Sequence, residues 1–542
     1  MSEGVLVKQG RISLKQGLKE IGLLCLSAVI FTLSFPSILS EWGLFPLAFI
    51  SLVPLFIVIN SCTWVRTAAY GIFFGYISYA LFNYWLSTFH PLAIVIVPVI
   101  YASYFLVLVP LLKLADKIFP RYGFLVQAGL WLSYEYLRTL GFLGYPYGNL
   151  GYSQYLFRPF IQISSVTGFW LISLMVVLPS AFLGRAFKGG RSCFLPYIRK
   201  NRLVVYVYAA VFTAILIFGF AAQSDFSDSQ QIKLGFVQHN ADTWKGGIRQ
   251  HEGNMNKMIS LSKRALEEDP DIDMMIWSET CFVPGIDWHT RYRTDPDRYR
   301  IVKELTTFLK TQDIPFVIGN DDGQLEPDEN GELKRVEYNA VLLYDGELKD
   351  TYRKTHLVPF TESFPYQKQM PRFYQALKDR DYHWWEKGTE YTVFDAAGVK
   401  FGTPICYEDV FGYLSREFIN NGAQIIVNMT NDSWSGSIPA EMQHMAMAVF
   451  RAVENKRTLV RGTNSGITCT IEPDGEITSI IEPFTEDYMI SNVPIYDETT
   501  TLYTRWGDWF AVLNLIVTLS VLFIGVIVRI RFYALQNRFD NS

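Results

Sequence analysis

Charge is scarce in this sequence: Asp, Glu, Lys and Arg make up 18% of 542 residues and nearly cancel, leaving a net charge of −4. With no basic excess and no long basic tract, the electrostatic footprint of a nucleic-acid-binding chain is missing, and that class of partner is set aside. Cysteine is sparse too. The six residues Cys25, Cys62, Cys193, Cys281, Cys406 and Cys469 form no CxxC pair and have no histidine at metal-ligand spacing. Neither a zinc site nor a disulfide framework is indicated, and no metal or cofactor is expected. Internal repeats and low-complexity linkers are also lacking.

What abounds is apolar material. Half of the residues are hydrophobic and 15% are aromatic, and the mean hydropathy is positive at +0.14, which in a chain this long points to contact with lipid. Apolar runs of about 20 residues can cross a hydrocarbon core of ~30 Å as helices. Such runs fall near 21–39, 42–60, 67–88, 91–112, 123–143, 161–183 and 203–222, and again near 508–528. They predict a bundle of eight transmembrane helices. Lys8, Arg11, Lys15 and Lys19 precede the first run like the charged start of a signal peptide, but no small-residue cleavage site follows, so a retained first span is expected. In the fifth run Glu135 and Arg138 stand three residues apart, on one helical face, where they can pair.

Lys and Arg collect in alternate loops: the N-terminal tail, Arg66, the 113–121 segment, the 185–202 segment and the tail after Arg529. Positive loops stay in the cytoplasm. With the N-terminus inside and seven crossings, residues 225–503 face the periplasm or exterior, and the eighth span returns the tail to the cytoplasm. The expected division is an N-terminal membrane domain over 1–224, a soluble domain over 225–503, and a final span with its tail over 504–542.

The soluble stretch alternates short apolar strands with amphipathic helices. Strands are predicted at 232–238, 274–277, 316–319, 340–344, 401–405, 425–428, 459–462 and 468–471, and helices at 251–267, 297–311 and 440–455. This alternation suits a two-layered α/β sandwich of mixed strands.

Three segments there put a reactive side chain where a buried strand is expected to stop: Met275-Ile276-Trp277-Ser278-Glu279; Tyr352-Arg353-Lys354-Thr355-His356 with Glu362 beyond; and Phe401-Gly402-Thr403-Pro404-Ile405-Cys406-Tyr407-Glu408. Together they can form an acyl-transfer site. A thiol becomes a strong nucleophile when a base takes its proton or a cation lowers its pKa. Glu279 is the candidate base, its pKa lifted by burial. Lys354 is the candidate stabiliser of the thiolate and of the tetrahedral oxyanion, helped by a backbone N–H near Cys406.

These segments resemble the signature of the nitrilase, or carbon–nitrogen hydrolase, superfamily, which implies an αββα sandwich and a Glu-Lys-Cys triad. More narrowly, the spans, the stretch from Lys354 through KTHLVPFTESFP, Cys406-Tyr407-Glu408, Asn431-Asp432-Ser433-Trp434 and the 135–154 segment are similar to the apolipoprotein N-acyltransferase family. The resemblance implies Glu279 as general base, Lys354 as the lysine, Cys406 as nucleophile and Glu362 as the glutamate supporting the lysine. Tyr407 and Glu408 match the positions that shape the pocket, Trp244 matches a tryptophan used in substrate handling, and Trp434 either packs or lines the acyl pocket. Ser278, Thr361 and Ser435 depart from the family pattern, which commonly has proline, glycine and an aromatic there.

The implied activity is transfer of a fatty acyl chain from a phospholipid, through a Cys406 thioester, to the N-terminal amine of a diacylated apolipoprotein at the bacterial inner membrane. A membrane-tethered nitrilase-type amidohydrolase would use the same triad with water as acceptor. A transporter or scaffold is the non-enzyme alternative, though intramembrane charges are few and paired broken helices are not evident. Cys281 and Cys469 read as structural thiols, and His356 and His444 as hydrogen-bonded structural residues.

Overall fold

The computed structural model describes residues 13–540 other than 90, 227, 243–244, 328–330, 365, 368 and 379–383. The first part is helical. Its longer helices are Leu14–Leu33, Trp64–Phe82, Ala93–Ile118, Gly123–Arg138, Trp170–Ala186 and Arg202–Ala222, and Trp509–Asp540 follows the sheets. Four have the length and composition to cross a membrane: the first, Ala93–Ile118, Arg202–Ala222 and the last. A fifth candidate is the pair Arg158–Thr167 and Trp170–Ala186, bent by 119°.

The other expected spans are shorter or less apolar. Pro46 and Pro54 sit at the starts of separate short helices within 45–61. Gly123–Arg138 has 16 residues, about 24 Å of helix against a core of ~30 Å. Side chains such as Val107, Leu203, Ile217, Phe220 and Phe523 stand exposed on the long helices, which is what a lipid-facing surface requires.

The expected Glu135–Arg138 pair does not form. Glu135 instead accepts from the Leu150 N–H and Trp131 Nε1 at 3.0 Å each and from Ser173, while Arg138 donates to the Tyr147 carbonyl at 2.6 Å and to Asn149. The loop that follows their helix is buried, so its backbone must be satisfied by side chains, and these two supply the partners.

Among the described residues the strands are β1 Gln230–Gln238, β2 Met274–Trp277, β3 Phe316–Pro327, β4 Leu333–Asp345, β5 Glu347–Arg353, β6 Val393–Ala396, β7 Val399–Gly402, β8 Ile425–Thr430, β9 Leu459–Thr463, β10 Cys469–Ile471, β11 Ile477–Ile480 and β12 Asp487–Ile495. They form two sheets, ordered β12-β1-β2-β3-β4-β5 and β11-β10-β9-β8-β7-β6. Parallel triples β1-β2-β3 and β7-β8-β9 occupy the middles, with antiparallel strands outside.

Both faces of each sheet are covered, so the central strands are apolar throughout rather than alternating. In β2, Met274 and Ile276 join the core between the sheets, and Met275 and Trp277 join the one under helices Ile248–Glu268 and Pro296–Lys310. Helices Gly412–Asn420 and Ile438–Asn455 cover the second sheet. The result is the four-layered αββα sandwich that the family resemblance implied, not the two layers expected from the alternation alone, because the strands divide into two sheets that pack face to face. Its inner core is continuous with that of the helices: one apolar cluster runs from Phe31, Phe82 and Trp131 to Val449, Phe401 and Phe236.

Candidate active site

Glu279 follows β2, Lys354 follows β5, Cys406 follows the short 403–405 extension of β7, and Asn431 follows β8. Because β5 runs parallel to β3, all four emerge at the same end of the sandwich, where carboxyl ends of parallel strands commonly form binding sites. Ile405 still bridges to Met429. Cys406 then turns into the left-handed region at φ 50° and opens a 3₁₀ turn, Cys406–Val410. A side chain in that region costs about 1 kcal/mol or more, a strain commonly found at functional positions.

Lys354 is wholly buried between two carboxylates. Its Nζ stands 2.7 Å from Glu362 Oε1 and 3.4 Å from Glu279 Oε1. Asn339 ties them together, donating to Glu279 at 2.8 Å and Glu362 at 3.4 Å. The Asn431 N–H holds the other oxygen of Glu279 at 2.8 Å, and the Val358 N–H holds that of Glu362 at 2.8 Å. Each oxygen of Glu279 is thus fixed by a donor.

The electrostatics follow from burial. Burial raises the Glu279 carboxyl pKa, the Lys354 ammonium opposes that, and Glu362 adds to it. Burial lowers Lys354, but Glu362, Glu279 and Cys406 more than reverse it, so the amine stays charged. The Cys406 thiol is pushed well up by burial and by Glu279, against the pull of Lys354. The resting site therefore holds a protonated thiol beside a carboxylate of raised basicity, an arrangement suited to general-base activation of sulfur.

Glu408 braces the site. It accepts from Tyr352 Oη at 2.8 and 2.9 Å, Thr355 Oγ1 at 3.0 Å, and the N–H groups of Thr355, His356 and Ile405 at 2.8 Å each. It joins the chain after Lys354 to the turn bearing Cys406. Tyr407 points to the helical part, donating to the Gly144 carbonyl at 2.9 Å and stacking on Tyr147. Trp434 packs on Trp85 at 5.7 Å. Trp244 lies outside the described residues. His356 is held neutral by burial, its pKa lowered to about 4, and it contacts Tyr413 Oη at 2.7 Å.

Sequence reasoning missed Asn339, the Asn431 N–H and a buried charge cluster of Asp409, Asp432, His444 and Arg461. Arg461 inside apolar β9 was the available signal, because a charge in such a strand requires a buried partner. Among the described residues, one acidic group is close enough to hold a metal, Glu472, Asp474 and Glu476. Arg158 already pairs with Asp474 and Glu476.

Residues 27–182 match the family model for the apolipoprotein N-acyltransferase N-terminal domain, and residues 233–501 match that for carbon-nitrogen hydrolase. Apolipoprotein N-acyltransferase 1 of Treponema denticola is 41% identical over 522 residues, covering 93% of this chain and 95% of that one. The chain belongs to the apolipoprotein N-acyltransferase family. Apolipoprotein N-acyltransferase 1 of Treponema pallidum is 38% identical, covering 94% of this chain and 96% of that protein. Apolipoprotein N-acyltransferase of Borreliella burgdorferi is 30% identical, covering 96% and 97%. Membership in this family, through both parts of the chain, does not favour the amidohydrolase alternative.

Proposed function

We propose that the protein N-acylates apolipoproteins with a fatty acyl chain taken from a phospholipid, through a thioester on Cys406. The placement of Lys354 and Glu279 beside the cysteine turn carries this reading. Glu279 takes the thiol proton as sulfur attacks the ester carbonyl. Lys354 and a backbone N–H of the turn offset the oxyanion charge. The ester C–O bond breaks, Glu279 returns the proton to the lysophospholipid alkoxide, and the acyl group remains on sulfur. The free amine of a diacylglyceryl-cysteine then attacks, forming an amide, breaking the C–S bond and giving a proton back to the site.

Acyl chains cost ~0.8 kcal/mol per CH₂ to expose to water, so both substrates enter from the bilayer. A cavity of about 520 Å³, bordered by Phe142, Trp170, His356 and Phe411, lies between helices and sandwich beside the segment that follows Lys354. In this reading residues 1–224 form the membrane domain with seven crossings, the shorter helices included, and 504–542 add the eighth and a cytoplasmic tail. Residues 225–503 then stand on the outer face of the inner membrane, with both termini inside.

Intact-mass analysis of the full chain incubated with phospholipid tests the proposal. Wild type gains one acyl increment and Cys406→Ala gains none; acyl transfer by Cys406→Ala would overturn it.

A further inference from the structure

Behind the cysteine turn, four charged side chains close a ring. Asp409, at the fourth position of the 3₁₀ turn that Cys406 opens, faces His444 Nε2 at 2.8 Å and pairs with Arg461. His444 Nδ1 faces the two oxygens of Asp432 at 3.1 and 3.2 Å, and Arg461 Nη2 stands 3.4 Å from Asp432. All four are buried. Asp432 is the neighbour of Asn431, whose N–H orients Glu279.

An imidazole whose two nitrogens both face carboxylates needs a proton on each, so His444 is a cation, and the ring then balances two negative charges with two positive ones. Burial opposes that charge, but Asp409 and Asp432 outweigh it and raise the His444 pKa to about 9. The groups facing His444 are Asp409, Asp432 and Arg461, with the Tyr147 ring alongside. Glu441 adjoins Asp432 and is pushed well up by burial and by that carboxylate.

We infer that His444 is a positioning residue for the acyl-transfer reaction: as an imidazolium clamped by Asp409 and Asp432, it holds the turn of the nucleophile and the loop that orients the base in one register. The inference rests on the reading of Cys406 and Glu279 proposed above. The ring touches no reacting atom. It acts by fixing two backbone segments, since a small misplacement of either costs rate.

The test is single-turnover acylation of the full chain by labelled phospholipid, from pH 6 to pH 10, comparing wild type, His444→Gln and Cys406→Ala. His444→Gln is expected to slow acylation at pH 7 by about tenfold or more, with half-saturation by phospholipid within about twofold of wild type. Wild type is expected to lose rate as pH rises past about 9, where His444 gives up its proton, and that alkaline fall is expected to disappear with the imidazole. A rate within about twofold of wild type, or an alkaline fall unchanged by the substitution, would overturn the inference. Where His444→Gln does not accumulate, Asp409→Asn replaces it: removing one of the two carboxylates must move the alkaline fall to lower pH, and an unmoved fall is the contrary result. If wild type itself forms no adduct, or Cys406→Ala does, the underlying reading fails instead.

Discussion

Glu362 acts on two neighbours at once, holding the Lys354 ammonium at 2.7 Å and adding negative charge near Glu279. Glu362→Gln should therefore slow acylation by about tenfold or more through a loosened lysine and also change its pH dependence. As the proposed base, Glu279 works only when deprotonated, so activity is expected to fall as pH drops through its raised pKa. Removing the neighbouring charge lowers that pKa, and the acid limb of the acylation rate should move to lower pH. A limb that stays in place would show that Glu362 does not act on Glu279. Of the proposed reactive residues, Glu279 and Cys406 were legible because each ends an apolar run with a chemical group, whereas Lys354 follows the polar strand β5 and stood out only through the resemblance of its segment. Asn339 was not legible, because an amide in a strand signals nothing until the fold places it between two carboxylates.

At the scale of elements, the strands that periodicity missed are β5, β6, β11 and β12, which are the four edges of the two sheets. The physical cause is common to them. An edge strand pairs on one side only and tolerates, or needs, charge and polarity, so β5 reads Glu-Leu-Lys-Asp-Thr-Tyr-Arg and carries no apolar pattern. Central strands, buried on both faces, announced themselves; β2 was read to its observed bounds. Helix ends were read within three residues, since the covering helices keep one apolar face. The close approach of β3 to the base loop gives a further test. A Cβ at Gly319 would stand 2.4 Å from the Ser278 carbonyl and 2.5 Å from Glu279 Cα. Backbone cannot yield cheaply there, so Gly319→Ala should cost about 1–3 kcal/mol of stability, as overpacking does, and should slow acylation by displacing Glu279. Thermal unfolding and single-turnover rates measure the two effects; a fully active variant would mean that the loop is free to shift.

For the molecule as a whole, membrane attachment was legible from composition, but the number of crossings was less so, because a 16-residue helix such as Gly123–Arg138 and the run interrupted by Pro46 and Pro54 look continuous to a hydropathy count. Topology can be tested at Cys193, which is exposed on the helix Arg191–Lys200. A membrane-impermeant maleimide should label it only after the inner membrane is permeabilised; labelling in intact spheroplasts would invert the proposed orientation. The continuous core sets another expectation. Residues 225–503 expressed alone would expose Tyr407, Trp434 and the apolar face of Ile438–Asn455, so the fragment should elute as aggregates in gel filtration without detergent. A monodisperse, folded fragment would be the opposite result.

The contact of Tyr407 with the Gly144 carbonyl joins positions 263 apart in the chain. Any side chain at Gly144 would press within 2.5 Å of the Thr139 carbonyl and force that loop to move. A genetic screen for inactive alleles should accordingly score hits in a short stretch ending the fifth apolar run, in a part of the gene that encodes none of the reacting groups.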